Sequence, residues 1–313
     1  MTSHVINQGQ DIQTIDTGYH REGLVASHLI QSGEQYAFVD VGTTACQQRL
    51  LNVMDEQHIR PQQIRYILVT HVHLDHAGAA GSLMRLFPEA ELIVHPRGAR
   101  HMIDPARLIE GATAVYGQQR MQQTFGEILP VAADRVIEAT DEMVLDFNGR
   151  DLLFLDTPGH ARHHYCVFDE VSRGFFTGDT FGLSYSPLMI DDNPFMFPTT
   201  TPVQFEPDAL HASLDRLISY NPAQMFLTHF GRVGEPERQA EKLHYLIDQF
   251  VEVTKNTDAD NCEKDIYQGL KALLFRELHK QNICLDENAV LSIMEMDLKL
   301  NTQGLCYWLG RDR

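Results

Sequence analysis

Between positions 70 and 78 the chain reads Thr70-His71-Val72-His73-Leu74-Asp75-His76-Ala77-Gly78. His71 and His73 are two residues apart, so in an extended segment their rings point to the same side. Asp75 and His76 follow where a helix can start, and Gly78, Ala79, Ala80 and Gly81 let that helix approach a sheet closely. Four metal-competent side chains in six residues are too crowded for one four-coordinate site and suit two neighbouring ions.

Three further candidates lie downstream. His160 closes Asp156-Thr157-Pro158-Gly159-His160, Asp179 sits in Gly178-Asp179-Thr180, and His229 sits in Leu227-Thr228-His229-Phe230-Gly231. Each follows an apolar, strand-like run, as does the first cluster. If those strands share a sheet, seven side chains gather along one edge, where ligand sites of α/β folds lie. Other histidines, such as His95, His101, His211 and His244, stand alone in the sequence and read as surface or packing residues.

The elements that must position these groups follow from hydrophobic periodicity. Runs at 24–30 and 35–41, joined by Ser32-Gly33-Glu34, read as two strands, and 46–58 as a helix ending before Pro61. Further strands are expected at 66–70, 91–95, 143–147, 151–155, 165–168, 174–176 and 224–227, with helices at 83–87 and 208–220. Residues 96–130 carry apolar positions at helical spacing with a break at Asp104-Pro105, giving a helical insertion that packs on the core or roofs a site. Residues 187–207 read as a long Pro- and Thr-rich loop. Beyond 235 the strand signals fade, and helices at 237–255, 263–280 and 287–300 suggest a division into domains 1–235 and 236–313.

Composition narrows the function. The chain has 313 residues, 43% hydrophobic and 22% charged, as expected for a globular protein with a sizeable core. A net charge of −18 repels phosphate backbones, so nucleic acid is a poor partner. No apolar run reaches the roughly 18 residues of a membrane helix. Residues 1–16 are polar, without the apolar stretch of an export signal. Cys46, Cys166, Cys262, Cys284 and Cys306 are scattered without C-x-x-C spacing, as in reduced thiols of a cytoplasmic protein. Sixteen histidines are the outlying number.

At the residues quoted above the chain resembles the metallo-β-lactamase-fold superfamily of metallohydrolases. His71-Val72-His73-Leu74-Asp75-His76 matches its H-x-H-x-D-H signature, and His160, Asp179 and His229 match its later ligand positions in order. The resemblance covers about residues 20–235 and implies an α/β fold, an αβ/βα sandwich with a dinuclear centre at one edge. It implies that His71, His73 and His160 hold one divalent metal ion, that Asp75, His76 and His229 hold the other, and that Asp179 bridges them. Zinc β-lactamases commonly carry a cysteine where Asp179 stands, so the aspartate resembles the glyoxalase II and lactonase branches. The nitrogen and oxygen donor set accepts Zn, Fe or Mn alike.

The reaction class that follows is hydrolysis of a small-molecule ester, thioester or lactone, with Asp75 and Asp179 as the catalytic carboxylates. Asp156 and His164 are candidates to hold the ligand imidazoles in place. Arg162 is a candidate for a substrate carboxylate or phosphate, or for a surface ion pair. Tyr185, Phe195 and Phe197, in the loop after Asp179, offer an apolar substrate pocket or tuck onto the core. Residues 198–202 stiffen that loop near the metals. A nuclease or phosphodiesterase, and a non-hydrolytic di-iron protein of oxygen or sulfur chemistry, are the alternatives. The helical tail bounds the substrate pocket or forms a homodimer interface.

Overall fold

A computed structural model describes residues 4–190, 193–200, 203–257 and 261–311. The chain opens with an antiparallel hairpin, β1 (Val5–Gly9) and β2 (Ile12–Asp16), followed by β3 (Ala26–Ser32) and β4 (Gln35–Val39). Next come α1 (Gln47–Glu56), β5 (Ile64–Val69), α2 (Leu74–Ala77), α3 (Ala80–Leu86) and β6 (Glu91–Val94). The 96–130 stretch forms α4 (Pro96–Ile103), α5 (Ala106–Tyr116) and α6 (Gln118–Arg120), and β7 (Val136–Glu138) follows it. The second half contains β8 (Val144–Asp146), β9 (Asp151–Asp156), β10 (Tyr165–Asp169), β11 (Gly174–Phe176), α7 (Pro207–Ser219), β12 (Gln224–Leu227) and β13 (Gly231–Val233). The tail is α8 (Pro236–Lys255), α9 (Cys262–Lys280) and α10 (Glu287–Arg311).

Two sheets result, ordered β1-β2-β3-β4-β5-β6-β7 and β13-β12-β11-β10-β9-β8. In the first, β1 to β4 pair antiparallel and β4 to β7 parallel. The parallel strands β5 and β6 are nearly all buried, which explains their continuous apolar runs. Ile12, Ile30, Val39, Leu68 and Ile93 of one sheet meet Leu152, Phe154, Tyr165, Val167, Phe176 and Phe226 of the other in the central layer. A second cluster joins the outer face of the first sheet to Leu50, Val53 and Met54 of α1 and Leu83 of α3. Spaced by three and four, those α1 residues form the single apolar stripe of an amphipathic helix. This is the expected αβ/βα sandwich.

The largest cluster covers the outer face of the second sheet and runs without a break into the tail. Phe175 and Leu214 share it with Leu243, Ile247 and Phe250 of α8, Leu270 and Leu274 of α9, and Met294 and Leu298 of α10. The tail's apolar faces are thus buried against the sandwich as well as against one another. No helix of the described residues is long and apolar enough to cross a membrane.

Sequence periodicity missed the β1–β2 hairpin and the short strands β7 and β13. The hairpin turn has Gln10 and Asp11 at φ of 51° and 58°. Two such left-handed residues make the turn that normally carries Asn-Gly, so the usual sequence signal is missing. Edge strand β1 is largely exposed and has no apolar alternation. Of the 96–130 insertion, Met102, Met121 and Phe125 are buried, and Leu108, Ile109, Ala112 and Tyr116 pack against the core.

Candidate metal centre

Strand ends deliver the site. The residues just past β4, β5, β9, β11 and β12 are Asp40, Thr70-His71, Thr157 to His160, Gly178-Asp179 and Thr228-His229. His73 lies at the amino end of α2, whose first turn carries Asp75 and His76. Two glycines have no substitute here. Gly178 has φ +48°, and a Cβ on it would lie 2.5 Å from Thr70 Oγ1 and 2.6 Å from His164 Nε2. Gly159, at φ +127°, presses its α-carbon against the Leu210 backbone, leaving 2.4 Å for a Cβ. Each glycine directly precedes a site residue.

The seven candidates converge as two overlapping groups. His71 Nε2 lies 2.7 Å from His73 Nδ1, and His160 Nε2 lies 3.3 Å from the same atom. On the other side, His229 Nε2 and His76 Nε2 are 3.4 and 3.8 Å from Asp75 Oδ2. Asp179 joins the groups: its Oδ2 is 3.2 Å from His160 Nε2, and its Oδ1 is 3.2 Å from His76 Nε2 and 3.4 Å from His229 Nε2. His71, His73 and His160, and likewise Asp75, His76 and His229, are spaced to hold a cation. His76 Nε2 and Asp179 Oδ1 are buried, face each other and have no hydrogen-bond partner. At 3.2 Å they form an ion pair without a well-directed hydrogen bond, an arrangement that a cation between them would satisfy better. The residues therefore fit a cation.

Four of the five imidazoles, those of His71, His76, His160 and His229, are held from behind. Asp40 is fully buried, and its Oδ2 lies 2.7 Å from His76 Nδ1. Its carboxylate also accepts from the Thr70 amide, the Thr70 hydroxyl and the Thr228 hydroxyl. Thr70 Oγ1 lies 3.2 Å from His71 Nδ1, and Thr199 Oγ1 lies 3.0 Å from His160 Nδ1. His229 Nδ1 donates to the Leu24 carbonyl at 3.0 Å. A ligand whose second nitrogen is fixed presents the first in one orientation.

The electrostatics divide the groups. Burial, followed by neighbouring imidazoles, holds His71 and His73 well below the usual histidine range, so both are neutral and ready to donate a lone pair. For His229 burial works downward, but Asp179 and Asp75 outweigh it and push the group up to about 9. His76 is raised in the same way by Asp179, Asp40 and Asp75. Against their own burial, Asp75 and Asp179 are kept ionised by these histidines. Protons thus occupy positions that a cation would take.

Comparison with known proteins identifies the family to which this fold belongs. The family model of the metallo-beta-lactamase superfamily matches residues 20–229, two thirds of the chain. The chain belongs to the metallo-beta-lactamase superfamily. Within the superfamily it is 29% identical over 208 residues to the metallo-beta-lactamase fold-containing protein ST1585 of Sulfurisphaera tokodaii, covering 65% of this chain and 74% of that one. The crystal structure of ST1585 superposes with a TM-score of 0.67 at 21% identity, over 95% of this chain and 98% of that one. An N-acyl homoserine lactonase of Bacillus thuringiensis is 26% identical over 191 residues, 61% of this chain and 64% of that protein. An atrochrysone carboxyl ACP thioesterase of Aspergillus fumigatus is 27% identical over 173 residues, 55% of this chain and 40% of that protein. The match thus spans less than two thirds of the lactonase and of the thioesterase.

Among the other site candidates, His164 lies beside the centre: Asp179 N donates to its Nε2 at 3.2 Å, with Thr157 and Thr180 hydroxyls on its Nδ1. It holds the backbone of Asp179 rather than an imidazole. Asp156 does not reach the ligand imidazoles. Its Oδ1 lies 3.1 Å from His95 Nε2, because the side chain leaves the strand end toward α4, whose amino end His95 caps. Arg162 ion-pairs with Glu206 and lines an open depression of about 510 Å³ with Arg97, Asp156 and Pro158.

Tyr185, Phe195 and Phe197 are fully buried, so the apolar pocket expected from them is corrected to core packing. Phe195 stacks on Phe197, and Phe197 meets Phe250 of α8 edge-on. Burying each phenyl ring contributes roughly 1.5–3 kcal/mol. Tyr185 donates to Asp297 of α10 at 3.1 Å, with the Arg21 guanidinium over its ring. Of the stiff segment expected at 198–202, Thr201 and Pro202 lie outside the described residues.

Sequence reasoning missed Asp40, Thr70 and Thr199. Asp40 fell inside the run 35–41 read as a strand, which the structure ends at Val39, and it belongs to no clustered motif. It also missed Asn301 of α10, whose side chain accepts from Thr200 N at 2.7 Å and donates to the Pro198 carbonyl at 3.1 Å. The tail thereby fixes the loop whose Thr199 orients His160.

Proposed function

We propose that the chain is a metal-dependent hydrolase that cleaves a small-molecule ester, thioester or lactone. The observation that carries this reading is the position of Asp179, whose two oxygens each contact a different histidine group. His71, His73 and His160 would hold one divalent ion, and Asp75, His76 and His229 the other, with Asp179 between them. Two divalent ions so held would lower the pKa of a bound water from roughly 15.7 to about 7 and would polarise a carbonyl.

The chain's own residues supply the rest. Asp75 has a side chain 25% exposed, whereas that of Asp179 is 7% exposed. Asp75 is therefore the carboxylate open to reactants, ionised and able to take a proton at Oδ2 from an attacking water. Asp40 and Thr70 hold His76 and His71 rigid, so that little reorganisation accompanies the reaction. That the two relatives named above are a lactonase and a thioesterase supports carbonyl substrates over phosphodiesters, as does the overall charge of −18.

The test is elemental analysis of freshly purified protein together with a panel of small esters, thioesters and lactones. Hydrolysis of one class, lost with the metal in Asp179→Ala, is the expected result. Turnover that survives in metal-depleted Asp179→Ala protein would sink the proposal. Cleavage of phosphodiesters alone would replace it with the nuclease reading.

A further inference from the structure

On the outer face of the second sheet, α7 and α8 present the same pair of residues to one another. Each carries a histidine followed four residues later by an aspartate: His211 and Asp215 on α7, His244 and Asp248 on α8. That spacing puts both side chains of a pair on one helix face. The pairs engage crosswise. His211 Nε2 lies 3.2 Å from Asp248 Oδ1, and His244 Nε2 lies 3.1 Å from Asp215 Oδ1. The two Nδ1 atoms are left facing each other at 2.6 Å, in rings whose planes differ by 3° and whose centroids are 4.9 Å apart.

The two elements of this arrangement, a close pair of ring nitrogens and a carboxylate behind an imidazole, occur separately at the candidate metal centre. There His71 and His73 bring two ring nitrogens to 2.7 Å, and His76 presents Nε2 to the site while its Nδ1 meets the Asp40 carboxylate. At the α7–α8 contact each imidazole likewise turns one nitrogen to a carboxylate and the other to a shared point. A carboxylate on the far nitrogen fixes the tautomer, leaves the near nitrogen its lone pair and raises its basicity. Two lone pairs at 2.6 Å repel unless a cation lies between them or one ring carries the proton.

We propose that His211 and His244 form a second, interhelical metal site, distinct from the dinuclear centre, for a borderline transition-metal ion such as Zn²⁺. Both ligands are neutral imidazoles through Nδ1, with Asp248 and Asp215 as their carboxylate partners. The histidine side chains are 24% and 29% exposed, so solvent water completes the coordination. To span a tetrahedral ion with bonds of about 2.0–2.1 Å, the nitrogens must separate by roughly 0.7 Å. Side chains at this exposure make that movement by small rotamer changes. The two exposed carboxylates and the acidic surface concentrate cations here. An ion bound between α7 and α8 staples the tail to the sandwich, and so stabilises the docked tail by an amount that grows with the logarithm of the free-ion concentration once the site is filled.

The experiment is equilibrium dialysis of the full chain against Zn²⁺ with metal counted by mass spectrometry, comparing wild type with H211Q/H244Q. The variant is expected to bind one zinc equivalent fewer, whatever the number held at the dinuclear centre, and to lose the part of the zinc-induced rise in melting temperature that this site supplies. D215N/D248N is expected to keep the equivalent but bind it about 10–100-fold more weakly. Folding of the variants is read by circular dichroism without metal, and the single variants H211Q and H244Q give the same count if the double variant is unstable. Equal zinc content in wild type and H211Q/H244Q would overturn the proposal and leave the contact as a hydrogen bond sharing one proton.

Discussion

The two halves of the proposed centre are built on opposite principles. His71, His73 and His160 form an uncharged half, oriented by the hydroxyls of Thr70 and Thr199. Asp75, His76 and His229 form a charged half, in which His76 leans on the buried carboxylate of Asp40. Burial, helped by neighbouring imidazoles, keeps His71 and His73 of the first half neutral, whereas carboxylates overcome burial in the second and leave its imidazoles protonated. The difference teaches that one strand edge can hold a ready site beside one that must exchange protons for its ion.

The largest effect is expected from removing what the halves share. Asp179→Ala should empty both, with turnover falling to background and metal content to near zero by elemental analysis. Next comes pH. His229 titrates near 9 without metal, so below that value a proton must leave before an ion binds. Affinity of the charged half should therefore fall about tenfold per pH unit for each proton released between pH 9 and 6, while that of His71, His73 and His160 stays nearly flat. Cobalt titrations across that range would show two steps that separate as pH falls; parallel movement would break the comparison.

A smaller effect should follow Asp40→Asn, which weakens the charged half alone by about 10–100-fold. Thr199→Val should weaken only the uncharged half, by up to about tenfold, the value of one net hydrogen bond. Asn301→Ala acts through the same threonine from the tail and should give a similar or lesser loss. Competition with a chromophoric chelator would rank all three, and equal losses in both steps would contradict the division.

How much was legible depends on how local the signal was. The ligands lie directly after strands, and four of them sit in one six-residue run, so their spacing alone gathered them. Asp40 contributes as much to the site's order, yet its partners Thr70, His76 and Thr228 come from distant parts of the chain. Nothing in its own neighbourhood announces them. Tyr185, Phe195 and Phe197 show the converse. An aromatic loop beside a site resembles a pocket until α8 and α10 cover it.

The sequence by itself determined the central strands and the order of the candidate ligands along the chain, because periodicity and strand-end motifs are read within a few residues. Only the tertiary structure decided which side chains stand behind the ligands and that the tail belongs to the same apolar core. It also showed that Asn301 of α10 steadies the loop that orients His160. The physical reason is distance along the chain. Contacts such as the Asn301–Thr200 hydrogen bond, or the approach of His211 to His244, join residues that no local pattern relates, and they exist only once packing has brought their helices and loops together.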